Sequence, residues 1–165
     1  MADVSGHGLP SLRDGAVAAE RMGGRTVQTM RAYSQVLERL KAAGLRPTRQ
    51  RLALAKLLLE SGPRHVTAEE LFHEARGAGI PVSLATVYNT LHQFTSVGLL
   101  REVVVDMGQS YFDTNTSHHH HFFDEASGQL TDIAEQEIGI SRLPSPPPGA
   151  EIDRVEVIVR LRRPA

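Results

Sequence analysis

Four consecutive histidines, His118 to His121, are the residues of this chain best suited to chemistry. They stand in mid-sequence between segments rich in strand-forming aromatic residues, which argues against a cloning tag, because tags sit at chain termini. If the run is a strand, alternation puts His119 and His121 on one face and His118 and His120 on the other, so that it can serve two adjacent sites. We predict a metal or haem site here; a solvated surface cluster is the alternative.

Composition limits which chemistry is open to these histidines. The chain of 165 residues contains no cysteine, which excludes disulfides, thiolate catalysis and every sulfur-ligated zinc site. Any metal must therefore be held by imidazole and carboxylate groups, which suit zinc, manganese or ferrous iron. No apolar run approaches the roughly 20 residues that span a bilayer, and the N-terminus lacks the pattern of a signal peptide. We expect a cytoplasmic protein that binds no membrane.

The net charge of −1 conceals an asymmetry along the chain. Residues 39–64 include seven basic side chains and one acidic one, whereas residues 106–153 include nine acidic side chains and one basic one. A basic first half is the electrostatic footprint of a protein that binds phosphate backbones, and an acidic second half suits cations. Two ordinary solvated faces are the alternative interpretation.

The first half of the chain reads as a flexible arm followed by helices. Residues 1–25 are rich in Gly, Ala and Ser without a sustained period, which predicts a flexible N-terminal arm. Apolar residues at helical spacing then predict an amphipathic helix from Val27 to Leu40 that ends near Gly44. A second helix is predicted from Arg49 to Leu59. A third begins at Thr67, which forms a capping box with the glutamate three residues later.

The helix that follows its predicted N-cap, Ser83, has a buried stripe and an outer face with almost no charge. The predicted buried stripe consists of Leu84, Val87, Leu91 and Phe94. The opposite face consists of Ala85, Thr86, Asn89, His92 and Gln93, with Tyr88 at its edge. Small and hydrogen-bonding groups suit the reading of base edges, whereas an ordinary solvated helix would more often show Lys and Glu.

A hairpin and a small sheet are predicted to complete the fold. The runs 99–105 and 110–112, joined by a turn, predict a β-hairpin, so that the helices and the hairpin together describe a winged helix-turn-helix. A small α+β domain with no DNA role is the alternative. The remaining predictions are strands at Phe122–Phe123 and Leu130–Ile133, a short helix or loop at 134–140, a proline-rich linker at 144–149, and a last strand from Ile152 to Leu161.

These elements give an α+β fold class with two domains. Residues 26–113 form the predicted N-terminal winged helix-turn-helix DNA-binding domain, and residues 114–165 form a small α/β dimerisation domain that senses metal or haem. A sheet this short needs a partner to bury its face, so we expect a homodimer.

Several motifs, in order and at matching spacing, resemble the ferric uptake regulator (Fur) superfamily over about residues 37–161. These motifs are the segments 65–71, 83–91 and 98–100, and the histidine run followed by Gly128-Gln129-Leu130. Within the match, the segments 45–51, 111–115 and 154–161 resemble the iron response regulator (Irr) branch of alphaproteobacteria. The resemblance implies a transcriptional regulator of iron and haem homeostasis that binds a double-stranded DNA operator and is not an enzyme.

The resemblance implies an interdomain regulatory metal site at His65, Asp113, His121 and Asp132. Aspartate replaces the more usual glutamate at two of these positions, and the shorter side chain changes distances and metal preference. From the residues alone, His65 has an alternative role as a helix-start residue that makes a local hydrogen bond. The expected ion is manganese, iron or zinc.

Two other metal sites of the family are missing or degraded. Asp124 and Ser127 stand where a Cys-x-x-Cys pair would hold structural zinc, so no structural four-cysteine zinc site is expected. A third site falls near Gly139 and Val155, which are not ligands. The loss of these sites frees histidines of the run for a site that binds haem or a second metal. The predicted site consists of His118, His119, His120 and His121, and it shares His121 with the interdomain metal site.

In the Irr branch, the His-x-His within this run is implicated in haem binding, and His119 with His121 fits it. The branch's Cys-Pro haem motif cannot exist here, because there is no cysteine. His121 cannot hold a metal at the interdomain site and haem at the same time. We therefore hypothesise that haem captured by the run withdraws His121 from the metal and releases DNA, which would make a haem-delivery enzyme a further partner.

The predicted DNA-binding set combines contacts implied by the resemblance with the uncharged helix face. It consists of Lys41, Arg46, Arg49, Arg51, Ser83, Ala85, Thr86, Tyr88 and Asn89. Asn89 replaces an arginine common in ferric uptake regulators, and asparagine pairs naturally with adenine. The operator should therefore differ from theirs.

The residues leave three alternatives to the haem-linked regulator. A metal-only regulator, sensing iron, manganese or zinc with no haem response, is the main alternative. A peroxide sensor is disfavoured, because that branch backs its histidine-rich iron site with structural zinc. A metallo-hydrolase is disfavoured because nothing supplies a general base beside a substrate cleft.

Overall fold

The computed structural model describes residues 33–106 and 108–162. The predicted arm at 1–25 and the first residues of the predicted first helix lie outside this part of the chain. The described helices are α1 at 33–42, α2 at Arg49–Leu59, α3 at Ala68–Gly77 and α4 at Leu84–Ser96. The described strands are β1 at His65–Val66, β2 at Arg101–Asp106, β3 at Gln109–Asp113, β4 at His119–Asp124, β5 at Gln129–Ala134 and β6 at Ile158–Leu161, and a 3₁₀ turn occupies Glu135–Glu137.

The helices begin where their capping residues predict. Thr67 accepts a hydrogen bond from the backbone N–H of Glu70, whose carboxylate accepts one from the N–H of Thr67, so the predicted capping box is confirmed. Ser83 caps α4 by accepting from the N–H of Thr86. At the end of α4, Gly98 has a φ of 73°, a conformation that favours glycine and turns the chain into β2.

The helices pack around one core with α4 across it. Its fully buried members include Leu40, Leu54, Leu58, Leu71, Leu91 and Phe112. Each such side chain stabilises the fold by about 1.5–3 kcal/mol relative to an exposed one. The predicted stripe of α4 is buried except for Leu84, which is half-buried. Thr90 is buried instead, because its hydroxyl donates to the carbonyl of Thr86 at 2.8 Å and so needs no water.

The first sheet has the strand order β1-β3-β2, and all of its pairs are antiparallel. The β2–β3 hairpin is confirmed, but β1 was not predicted. Its two residues, His65 and Val66, pair with Asp113 and Phe112 on β3. The alternative role of His65 in a local helix-start bond is therefore wrong: its side chain faces the end of β3.

The second sheet has the order β5-β4-β6, with β4 antiparallel to β5 and parallel to β6. His121 lies on the central strand, opposite Asp132 on one side and Ile158 on the other. The predicted last strand begins too early, since only residues from Ile158 onward form it. In this register Glu156 already lies level with the first residue of β4, so the residues before it have no neighbouring strand to pair with.

Side chains from β2, β3, β4 and β5 join the two sheets. A second core cluster consists of Val103, Val105, Tyr111, Phe123 and Leu130. The Tyr111 hydroxyl donates to the carbonyl of Gly128 at 2.6 Å, which ties the hairpin to the turn between β4 and β5. The junction of the two sheets is therefore packed and hydrogen-bonded.

The fold is α+β, as predicted. The second part was predicted as α/β, but the residues described after Ser96 contain strands and one 3₁₀ turn and no α-helix. The proline-rich segment leaves too few residues there for a helix that could cover the sheet. Within the described part of the chain, no helix is both long enough and apolar enough to cross a membrane.

Candidate metal centre and DNA interface

Five metal-ligating side chains converge where the two sheets meet. One ligand atom from each lies within 4.8 Å of all the others, and the five residues are His65, Asp113, His119, His121 and Asp132. They come from β1, the end of β3, two alternate positions of β4, and β5. Antiparallel pairing brings the first two together, and the period-2 alternation of β4 turns both histidines to the same side.

The shortest distances in the cluster join nitrogens and oxygens that point to a common centre. The Nε2 atom of His119 lies 2.8 Å from Oδ2 of Asp113 and 3.0 Å from Nε2 of His121. The Nε2 atom of His65 lies 2.9 Å from Oδ1 of Asp132. Yet His65 Nε2 and Asp113 Oδ2 are both buried without a hydrogen-bond partner. Close approach without hydrogen-bond geometry is expected of lone pairs aimed at a shared cation.

Each of the two cluster histidines of β4 has a polar group facing its Nδ1 atom. The Nδ1 atom of His119 lies 2.8 Å from the carbonyl oxygen of Ser117, which can only accept, so Nδ1 carries the hydrogen and the neutral ring keeps a lone pair on Nε2. The Nδ1 atom of His121 faces the carboxylate of Glu156 at 3.3 Å. Two Nε2 lone pairs facing each other at 3.0 Å repel unless a proton or a metal ion lies between them.

Both aspartates share an orienting partner, Asn115. Its backbone N–H donates to Oδ1 of Asp113 at 2.7 Å, and its side-chain amide donates to Oδ2 of Asp132 at 2.9 Å. Each carboxylate thus uses one oxygen on Asn115 and turns the other toward the cluster. Asn115 lies just beyond Thr114, which follows the predicted DNA-binding domain, and its role was not predicted.

The donor set fits a transition-metal ion. Three imidazoles and two carboxylates are the ligands that suit manganese, ferrous iron or zinc. With metal–ligand bonds of about 2.0–2.2 Å, two ligands on opposite sides of an ion lie at most about 4.4 Å apart. The widest pair in the cluster therefore needs to contract by only a few tenths of an ångström. Asp132, whose side chain is 35% exposed, is the most exposed member of the cluster.

Electrostatics hold the metal-free cluster in a charged state. Burial favours the neutral form of Asp113, but the nearby His121 and His65 and the N–H of Asn115 outweigh it and lower its pKa far below the usual range. Burial would likewise lower the pKa of His121, but the carboxylates of Asp113 and Glu156 outweigh it and raise the pKa to about 9. Burial opposes the charge on Glu156 too, yet His121 and Arg101 lower its pKa.

The structure brings together all four residues predicted for the interdomain metal site and adds His119. That residue was predicted only for the site of haem or a second metal, and the four histidines of the run do not form one group. His118 is exposed beside a cavity of about 560 Å³ that Arg101 and Arg154 also line. His120 is buried on the other face of β4, where its Nδ1 accepts from the N–H of Val157 at 3.3 Å.

No role for Arg101 or Glu156 was predicted from the sequence, although the position of Arg101 in the sequence pattern indicates one. Arg101 occupies the same side of β2 as Val103 and Val105, and all three are buried. A charged residue at an apolar position of an alternating strand indicates a buried partner. Glu156 gave no such signal, since its partner lies 55 positions earlier in the chain.

The predicted DNA-facing residues of α4 occupy its outer side. Ala85, Tyr88 and Asn89 are exposed. The hydroxyl groups of Ser83 and Thr86 bond to each other at 2.9 Å. The Tyr88 hydroxyl donates to the carboxylate of Glu69 on α3 at 2.8 Å, a contact that raises the pKa of Tyr88.

The predicted basic contacts lie at the end of α1, in the loop before α2 and in the first turn of α2, and they differ in how exposed they are. Arg46 and Arg49 are exposed, and exposed Lys41 pairs with Glu38 at 3.1 Å. Arg51 is half-buried, and its guanidinium donates twice to the side-chain oxygen of Gln93 on α4, at 2.9 and 2.6 Å, and once to the carbonyl of Arg46. Arg51 thus fixes α2 against α4 and has fewer donors left for a phosphate.

The model of the ferric uptake regulator family matches residues 42–144, more than half of the sequence. The chain belongs to the ferric uptake regulator family. This family consists of transcriptional regulators rather than enzymes, which confirms the expectation that the chain is not an enzyme.

Relatives within the ferric uptake regulator family cover different shares of the chain. The peroxide-responsive repressor PerR of Staphylococcus aureus (strain Mu50 / ATCC 700699) is 37% identical over 95 residues, a match that spans 57% of this chain and 63% of the repressor's own length. The solved ferric uptake regulator of Pseudomonas aeruginosa with manganese is 25% identical, with a TM-score of 0.58, over 76% of this chain and 96% of that one. The ferric uptake regulator of Vibrio cholerae is also 25% identical, with a TM-score of 0.59, over 74% of this chain and 95% of that one.

Proposed function

We propose that this chain is a metal-responsive, DNA-binding transcriptional regulator whose sensing site is the cluster of five side chains. The observation that carries this proposal is the convergence of His65, Asp113, His119, His121 and Asp132 from both sheets within 4.8 Å. A bound manganese, iron or zinc ion would supply the positive charge that holds these ligands together. The four predicted ligands and His119 would then tie β1 and β3 to β4 and β5.

We propose that α4 is the recognition helix of a winged helix-turn-helix and that the hairpin β2–β3 is its wing. Exposed Ala85, Tyr88 and Asn89 would face base edges, while Lys41, Arg46 and Arg49 would contact phosphates. In a homodimer two such helices must meet the major groove about one helical turn apart, or a multiple of it. Metal bound between the two sheets would fix that spacing, because it sets the angle between α4 and the second sheet.

A haem response is the finer hypothesis, and it rests on the motifs that resemble the Irr branch. Imidazole is an adequate axial ligand for haem iron. The side chains of His119 and His121 are only 4% and 0% exposed, so haem could reach them only if the cluster opened. His118 is the exposed member of the run and lies beside the cavity. These observations favour the metal-only regulator, and a haem-delivery enzyme is a partner only if haem binds.

A peroxide response is the second finer hypothesis, and relatives named peroxide-responsive repressor raise it. The one from Staphylococcus aureus (strain Mu50 / ATCC 700699) is 37% identical over the matched region. The histidine-rich cluster supports this candidate, while the lack of cysteine distinguishes the chain from members with structural zinc. Loss of DNA binding when the iron-loaded protein meets hydrogen peroxide would favour it, and unchanged binding would contradict it.

Fluorescence anisotropy on labelled promoter DNA from iron and haem genes tests the proposal. The metal-stripped protein should bind weakly, and addition of manganese or ferrous ion should restore tight binding. Asp113→Asn should abolish this restoration, whereas Asp106→Asn, at an exposed aspartate of the same hairpin, should not. Haem is then added to the metal-loaded wild-type complex: release of DNA, together with a haem Soret shift that is lost when His119 and His121 are replaced, supports the haem response, and indifference leaves the metal-only regulator. Binding that ignores metal altogether contradicts the proposal.

A further inference from the structure

Arg101 is a charged residue in an apolar position. It begins β2, its side chain is 7% exposed, and Val103 and Val105 follow it on the buried side of the strand. Burying a guanidinium is costly unless its donors are paired. Arg101 has two partners, and each of them lies next to a histidine of the metal cluster.

The first partner of Arg101 is the carbonyl oxygen of Ser117, to which its Nη1 donates at 3.1 Å. The same oxygen accepts the hydrogen on Nδ1 of His119 at 2.8 Å. Arg101 therefore holds in place the acceptor that fixes the tautomer and the ring orientation of one cluster histidine.

The second partner is the carboxylate of Glu156, whose Oε1 lies 3.2 Å from Nη2 of Arg101. That same oxygen lies 3.3 Å from Nδ1 of His121, which is buried and has no hydrogen-bond partner. The Glu156 side chain is 18% exposed and comes from the segment just before β6. Glu156 Oε1 thus faces Nδ1 of the second cluster histidine at ion-pair distance, whereas the Ser117 carbonyl accepts a hydrogen bond from Nδ1 of the first.

We propose that Arg101 and Glu156 are positioning residues for the metal, with the guanidinium of Arg101 holding the acceptors behind both His119 and His121. This inference rests on the proposed metal centre. The planar fork of arginine reaches two acceptors in fixed directions, which the single ammonium of a lysine does not do. An ion bound at Nε2 makes the Nδ1–H of each ring a stronger donor, so metal and outer partners reinforce one another.

The consequence reaches beyond affinity, because Arg101 belongs to the first sheet and Glu156 to the segment that leads into the second. Arg101 lies on the proposed wing, and Glu156 precedes the strand that pairs with β4. Metal capture would strengthen this connection between the proposed wing and the C-terminal segment. The ion would therefore be sensed by β2 and β6 as well as by the strands that carry its ligands.

The chain offers a matched control at the other end of the same two strands. Arg160 of β6 donates to the carbonyl of Val105 on β2 and pairs with Glu125 at 3.4 Å. It joins β6 to β2 as Arg101 and Glu156 do, but it contacts neither cluster histidine. Arg160→Gln and Glu125→Gln therefore remove comparable contacts without touching the positioning groups.

The test measures manganese affinity and the visible spectrum of the cobalt(II)-loaded full-length protein. Arg101→Gln and Glu156→Gln should each weaken manganese binding by about 10- to 100-fold and shift the cobalt(II) bands. The double variant should lose less than the product of the single losses, because both residues act through one network. Arg160→Gln and Glu125→Gln should keep the affinity and the spectrum, even where the melting temperature falls.

The results that would overturn this inference differ from those that would overturn the metal centre. If Arg101→Gln does not fold, the near-isosteric Glu156→Gln variant decides alone. Unchanged affinity and spectrum in that variant, or equal losses in the Arg160→Gln control, would overturn the inference while leaving the metal centre in place. Failure of the wild-type protein to bind manganese or cobalt(II) would instead overturn the metal centre, and this inference with it.

Discussion

The metal cluster and the outer face of α4 are both polar, but they are built in opposite ways. In the cluster, polar atoms are buried and several lack a hydrogen-bond partner, as with His65 Nε2 and Asp113 Oδ2. On α4, polar groups are exposed and already bonded to neighbours, as with Tyr88 to Glu69. The first arrangement needs a ligand to be satisfied, whereas the second can exchange its contacts for others at little cost. Metal affinity should therefore depend steeply on single residues, and DNA affinity should be spread over many.

The largest effect of a single substitution is expected in the buried metal cluster. His121→Gln removes a proposed ligand that is 0% exposed, so manganese affinity should fall by more than the roughly 100-fold that loss of an outer partner can cause. His118→Gln, in the same run but exposed and outside the cluster, should bind like the wild-type protein. Titration calorimetry measures both. Equal losses in the two variants would mean that the run acts as one group.

The cluster should also respond to pH, with opposite signs for metal binding and for stability. Because the pKa of His121 is raised to about 9 in the metal-free fold, a proton must leave when metal binds near neutral pH. The apparent manganese affinity should rise with pH, by about tenfold per unit between pH 6.5 and 8.5. A raised pKa stabilises the metal-free fold fully below about pH 6.5, and this contribution is lost as the pH rises through about 9.

Calorimetry in buffers of different ionisation enthalpy counts the released proton, and thermal unfolding follows the metal-free protein. His121→Gln should remove most of the pH dependence from both measurements. A manganese affinity that falls with rising pH in this window would contradict the assigned charge state.

A smaller effect is expected on the exposed face. Tyr88→Ala should weaken DNA binding by on the order of 1–3 kcal/mol, because the ring is exposed on the outer face of α4. Manganese affinity should not change, because Tyr88 is not a member of the cluster. Tyr88→Phe keeps the ring but removes the hydroxyl that bonds to Glu69, so it distinguishes the contribution of the ring from that of the hydrogen bond. Tyr33→Ala, at an exposed tyrosine of α1, is the control. An anisotropy titration in which Tyr88→Ala binds like the control would remove Tyr88 from the recognition set.

The smallest effect tests the scaffold that both regions share. Thr67→Ala removes the capping box of α3 and should lower the free energy of unfolding by about 1 kcal/mol in a urea titration. Metal affinity should not change, since the Thr67 side chain bonds only within its own helix start. A loss of affinity in a folded Thr67→Ala protein would show that β1 and α3 are not independent.

The helices could be predicted because their signals are local. Thr67 with Glu70, and Ser83 with Thr86, are separated by three residues, so the chain itself displays the helix starts. The hairpin was visible for the same reason. The two-residue strand β1 is too short for any period and exists only because β3 lies beside it.

The site could be predicted only in part, because its groups are distant in sequence. The alternation of a strand correctly predicted that His119 lies beside His121. It could not predict that both lie with His65, because that contact depends on how the two sheets meet. Asn115, Arg101 and Glu156 act through contacts that no spacing reveals. The remaining predicted ligands came from resemblance rather than from geometry.

The most direct test of the central claim is the position of the ion itself. Crystals grown with manganese and measured by anomalous X-ray scattering should show one strong peak per chain among His65, Asp113, His119, His121 and Asp132, with Nε2 atoms of the histidines toward the ion. A peak at His118 or His120, or no peak within the cluster at saturating manganese, would contradict the account.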